Sequence, residues 1–131
     1  MTSILDADSH HKSALRPRRS VLYVPASNAR AIDKARGLAC DAVVLDLEDA
    51  VAPALKAAAR TAAAAVIQAG GFGHRELIVR VNGLDTPWGA DDLATMSNTN
   101  VDAVLVPKVR TRKDLLAYDK ALSCAHSALQ L

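Results

Sequence analysis

Short, uninterrupted apolar runs alternate along the chain with longer stretches in which apolar residues recur every three or four positions. Ser20-Val21-Leu22-Tyr23-Val24 is the first run, stopped by Pro25. Ser27 is placed to cap a helix reaching about residue 38, with Ile32, Ala35 and Leu38 on one face. Residues 42–45 form the second run. Pro53 suits the first turn of a helix that turns Leu55, Ala59, Ala62, Ala63, Val66 and Ile67 inward. Lys56 and Arg60 fall on its outer face in this reading, and Gly70-Gly71 stops it. A third strand is expected over 76–81, a short helix over 88–96 and a fourth strand over 102–106. Thr111 then caps a last helix, with Asp114 in its first turn and Leu115, Leu116 and Leu122 inward.

This is a strand followed by a helix, four times over. The strands are continuously apolar instead of alternating, the pattern of a parallel sheet buried on both faces. The class is α/β. Two architectures fit: an open doubly wound sheet, or part of a (βα)8 barrel. In both, function sits at the C-terminal ends of the strands.

Polar groups collect at those ends. Val43-Val44-Leu45 runs into Asp46, Glu48 and Asp49. Clustered carboxylates at a strand mouth are costly to desolvate and need a cation, a basic partner or solvent. The cluster can help hold a divalent ion, directly or through water; equally, Glu48 and Asp49 can simply favour the start of the next helix. Asp46 belongs to the strand end itself and is the first choice among the three. Arg80, inside Ile78-Val79-Arg80-Val81, needs a carboxylate for its fork, either a substrate's or that of Asp46 or Glu48. Asn82-Gly83 reads as a shaped loop, because the residues after it do not form a returning strand. Lys108, after a buried strand and Pro107, can bind an anion, serve as a Schiff-base amine or be solvated. Gly70-Gly71-Phe72-Gly73 precedes a strand and is no phosphate-binding loop.

Composition narrows the classes. The 131 residues suffice for one domain with a core, and half of them are apolar. Aromatics make up 3% and the net charge is +2, so neither nucleic acid nor a membrane surface is an expected partner. Cys40 and Cys124 lie far apart, which fits a reducing, cytoplasmic setting, with Cys40 a small core residue. His10, His11, His74 and His126 have no metal-ligand spacing. Residues 1–17 read as a polar, flexible tail without the apolar core of a secretory signal.

Four segments, in order, resemble one family: Arg18-Arg19-Ser20-Val21-Leu22-Tyr23-Val24-Pro25-Ala26-Ser27-Asn28, residues 41–50, Arg80-Val81-Asn82-Gly83 and Val106-Pro107-Lys108-Val109. They are similar to the citrate lyase β-subunit group of the HpcH/HpaI aldolase superfamily. The resemblance implies that residues 18–131 form the N-terminal half of a (βα)8 TIM barrel. It implies Mg²⁺ dependence and carbon–carbon cleavage of a hydroxyacyl thioester, citryl-, malyl- or citramalyl-like, carried on CoA or a carrier protein. By the same resemblance, Arg80 holds a substrate carboxylate, with Asn82 and Lys108 beside it. Asp46, Glu48 and Asp49 support the metal's water shell, and Ser27 and Asn28, with Arg30, lie where the carrier thioester enters. Family members are roughly twice as long, as a full barrel requires. Their principal metal carboxylates follow strands five and six, so no first-shell metal ligand is expected in this chain. The expectation is a truncated chain, inactive alone, that forms a homo-oligomer or joins a complementing chain. The alternative is a non-catalytic half-barrel subunit or remnant. A receiver-type signalling domain fits the length, but it needs an acidic pair after its first strand, where this chain has Pro25-Ala26-Ser27-Asn28.

Overall fold

Four parallel strands lie side by side in the order in which they occur: β1 (Val21–Pro25), β2 (Ala42–Asp46), β3 (Glu76–Arg80) and β4 (Ala103–Leu105). Helices α1 (Ala29–Ala35), α2 (Lys56–Ala69), α3 (Gly89–Ser97) and α4 (Arg112–Ser127) return the chain, and a 3-10 turn over Pro53–Leu55 leads into α2. This computed structural model describes residues 16–127, with side chains to residue 124. The readings made of residues 1–15, including His10 and His11, and of the His126 side chain lie outside the described residues.

Strand order decides between the two architectures. A doubly wound sheet reverses its order partway and carries helices on both faces. Here the order never reverses, and the helices share one face. Successive strand side chains point to opposite sides. Val43, Leu45, Leu77 and Val79 therefore pack on Ile32 and Ala35 of α1, Ala59, Ala63 and Ile67 of α2, Leu93 and Met96 of α3, and Tyr118 of α4, in one cluster that also holds Cys40. The opposite face gathers only Ala42, Val44 and Ile78, with Ala103 against them. At the base of that inner face, Arg18 donates through Nε and Nη2, each 2.6 Å from a carboxylate oxygen of buried Glu76.

Three helix-face expectations are corrected. Asn28, not Ser27, caps α1: its Oδ1 accepts from the Ala31 amide at 3.0 Å. Its residue type serves as well at that position, and Ser27 stays exposed. Leu115 and Leu116 are both 53% exposed instead of inward, and Leu38, Leu55 and Ala62 are exposed too. The buried residue of the first turns of α4 is Tyr118. The strands are also not all covered on both faces. β2 is wholly buried, whereas Val21 and Tyr23 of β1 and Leu105 of β4 are exposed at the outer strands.

The polar caps otherwise behave as read. Thr111 Oγ1 accepts from the Asp114 amide at 3.2 Å, and Asp114 Oδ2 accepts from the Thr111 and Arg110 amides at 3.0 Å. These backbone bonds, led by that from Arg110, hold the Asp114 carboxyl below its ordinary range. Gly70 ends α2 at φ +66°, a region that favours glycine.

The loop after β3 closes back on the start of α3. A Cβ added at buried Gly89 would fall inside the Gly83 carbonyl group, which is backbone and cannot swing away. Gly89→Ala is therefore expected to lower unfolding stability by about 1–3 kcal/mol in urea melts. Gly37→Ala, whose Cβ meets nothing nearer than 3.8 Å, should change it by no more than about 0.5 kcal/mol. Equal stabilities for the two variants would discard the close-approach account.

Candidate functional site

Because the strands are parallel, their C-terminal ends share one edge of the sheet. The loops after β1, β2, β3 and β4 meet there. The register pairs Asp46 of β2 directly with Arg80 of β3, and both side chains emerge on the inner face. Arg80 donates through Nε to Asp46 Oδ1 at 2.8 Å and through Nη2 to Oδ2 at 2.7 Å. The same two oxygens also accept from the Glu48 amide at 2.9 Å and the Ala50 amide at 3.0 Å. Burial opposes ionisation of Asp46, but the Arg80 bonds and the two amides outweigh it and leave its carboxyl below the ordinary range. The Asp46 bonds raise Arg80 further above its already high value. Tyr23 of β1 lies under the guanidinium, 5.3 Å from its carbon to the ring centre.

The remaining charges continue from this pair. Arg80 Nη1 is 3.4 Å from Glu48 Oε1, and Lys108 Nζ is 3.5 Å from Glu48 Oε2 and 3.4 Å from Asp49 Oδ1. Glu48 is 8% exposed, and its Oε1 accepts no hydrogen bond among the described residues. Lys108 sits at φ +51°, a left-handed conformation that costs a lysine about 1–2 kcal/mol. Glu48, then Asp49, raise its ammonium pKa. A Schiff-base amine must lose that proton to attack a carbonyl, so the surroundings oppose that role. Glu48, Lys108 and Arg110 line one cavity of about 560 Å³, together with the loop Gly83-Leu84-Asp85-Thr86 and Tyr118. Tyr118 Oη accepts from the Leu84 amide at 3.2 Å and ties that loop to α4.

The structure brings together Asp46, Glu48, Asp49, Arg80 and Lys108. Of the partners considered for Arg80, it shows Asp46 as the main one. Asp46 is the first choice among the acids from sequence, but its four acceptor positions are filled, and Glu48 is the buried acid with an oxygen that accepts no hydrogen bond among the described residues. Asn82 is 2% exposed and acts as a strut. Its Nδ2 donates to Leu47 O at 3.0 Å and to Asp92 Oδ2 at 2.7 Å, and its amide donates to the same Asp92 oxygen. Ser27 and Asn28 lie exposed on the loop after β1, and the Asn28 oxygen is spent on capping. Among the described residues, no group of three or more His, Cys, Asp or Glu side chains could hold a metal ion. The described residues therefore do not by themselves fit a Mg²⁺ centre.

Lys56 and Arg60 were placed on the outer face of α2, and this is wrong. Lys56 is 7% exposed and donates to Leu47 O at 3.0 Å and Glu48 O at 2.7 Å. Arg60 donates to Asp92, which is fully buried, at 2.7 Å. The signal was available. Lys56, Ala59, Arg60, Ala63 and Ile67 form one stripe at helical spacing, and Asp92 shares a stripe with Gly89, Leu93 and Met96.

A singly wound βα sheet with opposed acids and bases at its C-terminal edge is the first half of a (βα)8 barrel with a barrel-type site. The chain belongs to the HpcH/HpaI aldolase/citrate lyase family, whose model matches residues 19–129. It is 52% identical over 101 residues to a (3S)-malyl-CoA thioesterase of Cereibacter sphaeroides, covering 77% of this chain and 35% of that protein. It is 38% identical over 116 residues to an L-malyl-CoA/beta-methylmalyl-CoA lyase of the same species, covering 86% and 36%. A citrate lyase beta subunit from M. tuberculosis, solved with oxaloacetate and magnesium, matches with a TM-score of 0.61 and 34% identity over 74% of this chain and 41% of that one. The chain thus spans about a third of the length of the curated relatives it matches.

The Asp46–Arg80 pair yields a pH test. A carboxyl with a depressed folded pKa stabilises the fold fully above its unfolded value of about 3.9 and loses that contribution as pH falls through the folded pKa. Asp46→Asn leaves Arg80 without its main partner and is expected to cost roughly 3 kcal/mol at pH 7. In urea melts the gap between wild type and variant should shrink as pH falls below the unfolded value and through the lowered folded pKa of Asp46. A gap that stays constant over that range would rule out the pair as its source.

Proposed function

We propose that this chain carries part of the mouth of a Mg²⁺-dependent carbon–carbon lyase acting on a hydroxyacyl thioester of the citryl, malyl or citramalyl class. The observation that carries the reading is Glu48. It is a buried carboxylate in the wall of a cavity that also presents the cations Lys108 and Arg110, and its Oε1 accepts no hydrogen bond among the described residues, with Arg80 Nη1 3.4 Å away. Cleavage of such a substrate removes a proton from its hydroxyl group and breaks the adjacent carbon–carbon bond. The electron pair moves into the thioester as an enolate, which then takes up a proton. Cations on one wall suit the substrate's carboxylate. A desolvated, correctly held acid suits the proton or an ordered water beside the reacting carbon. Arg80, fixed by Asp46, holds the Glu48 side of this wall in place. Mg²⁺ enters the reading from the M. tuberculosis relative solved with oxaloacetate and magnesium. Bound there, it would polarise the acyl oxygen. Glu48 would support its water shell, and its direct ligands would come from outside the described residues. For that reason these residues by themselves are expected to bind the substrate without turning it over, and to need metal-binding carboxylates from outside the described residues for activity.

Thioester hydrolysis is the second reading, favoured by one observation. The relative that is 52% identical is a thioesterase, whereas the lyase quoted above is 38% identical. The chain, given Mg²⁺ and (3S)-malyl-CoA, can be followed by amide NMR and by mass spectrometry of products. Shifts confined to residues 48–49, 83–86 and 108–110, without product, are the expected result. No shift at those residues would remove the site. Acetyl-CoA with glyoxylate at an enzyme-like rate would overturn the expected inactivity, and malate with free CoA would put hydrolysis first.

A further inference from the structure

Lys56 is the most unusual residue of the structure in physical terms. It opens α2, where the helix dipole disfavours a cation. It is buried, and no carboxylate pairs with it among the described residues. Burying an ammonium in this way is costly unless its donors are satisfied. Its partners are the carbonyl oxygens of Leu47 and Glu48 and the face of Trp88, with Nζ 5.3 Å from the ring centre. The side chain folds back over the loop that precedes its own helix.

The effect on that loop can be followed atom by atom. The Leu47 amide donates to Arg80 O at 2.9 Å, and its carbonyl accepts from both Lys56 and Asn82. The Glu48 amide donates to Asp46, and its carbonyl accepts from Lys56 and from the Val51 amide at 3.2 Å. Every backbone polar group of these two residues is engaged, while Glu48 Oε1, 3.4 Å from Arg80 Nη1, accepts no hydrogen bond among the described residues. A fully bonded backbone that fixes the origin of a side-chain carboxylate is how a pre-organised site is built.

We propose that Lys56 is a positioning residue: from the helix side of the sheet it locks the Leu47–Glu48 backbone and so holds the Glu48 carboxylate in the cavity wall. Asn82 is its counterpart from the loop after β3, and is itself held by Asp92, to which Arg60 donates. The functional meaning of this brace rests on the reading of Glu48 given above, but its physical existence does not.

The test is amide hydrogen exchange on the 131-residue chain, which needs no substrate and so fails or succeeds apart from the assay above. Lys56→Met keeps the apolar stem and removes all three donors. Lys56→Gln keeps an amide that can reach one carbonyl. Expected is at least tenfold faster exchange at the Glu48, Ala50 and Val51 amides in Lys56→Met, smaller acceleration in Lys56→Gln, and little change at residues 43–45. The Glu48 χ1 couplings should shift toward rotamer averaging in the same order. A residue that merely stabilises the fold would accelerate residues 43–45 by the same factor. That outcome, or unchanged exchange at 48–51, overturns the proposal. Should Lys56→Met not fold, Lys56→Gln is judged by the same criterion.

Discussion

The parallel register that sets Asp46 opposite Arg80 is the constraint on which the rest of the site depends. Both residues point off the sheet on the side away from the helices, where they meet each other, the Tyr23 ring and the loop that follows β2. A carboxylate 2% exposed needs compensation at each of its acceptor positions. Two come from the guanidinium and two from the Glu48 and Ala50 amides. The pair therefore does more than neutralise itself. By recruiting those amides it folds the β2 loop into one shape and determines where Glu48 and Asp49 emerge.

From there the charges alternate in sign: Asp46, Arg80, Glu48, Lys108, Asp49. The contacts lengthen along the series, from 2.7 Å at the Asp46–Arg80 end to 3.4–3.5 Å at Lys108. The outer members are also the exposed ones: Lys108 and Asp49 are each 64% exposed at the side chain, against 22% or less for Asp46, Arg80 and Glu48. Coulomb attraction weakens with both distance and solvent screening, so the inner pair is structural and the outer charges are adjustable. Glu48 sits at the crossover. It is buried as deeply as a structural acid and yet lacks a complete set of donors, the combination expected of a group kept ready for a ligand.

How much of this the sequence discloses depends on the element. Strands were legible because a parallel strand buried by its neighbours is continuously apolar, and so the ends at Asp46, Arg80 and Lys108 could be located. Which acid stays open was not legible. It turns on two backbone amides reaching Asp46, and the chain around Asp46, Glu48 and Asp49 looks alike from its sequence. Asn82 could not be separated from a ligand-binding amide for a similar reason: its partner Asp92 lies ten residues on and one helix away. The helix faces went astray where apolar residues outnumber the positions that can be buried. α2 carries so many alanines that two stripes look equally apolar. The stripe that is buried begins with Lys56 and Arg60, which a purely hydrophobic count turns outward. In α4 the paired leucines mislead in the opposite sense, and one tyrosine supplies the contact instead.

These misplacements share a cause that says something about the fold. Lys56, Arg60, Asp92 and Asn82 break the amphipathic rule at buried positions. Each such breach is unfavourable by itself, since an apolar residue at the same place would need no partner. Together they are satisfied by one another, by the carbonyls of the β2 loop and by Trp88. A hydrophobic core holds elements together but is indifferent to small shifts of a loop at its edge. Directional bonds from charged groups are not, because a few tenths of an ångström weaken them. A polar brace on the helix side of β2 and β3 thus gives the mouth on the other side a fixed geometry that packing alone could not supply. The part of the molecule that looks least like a core in sequence is what links the core to the site.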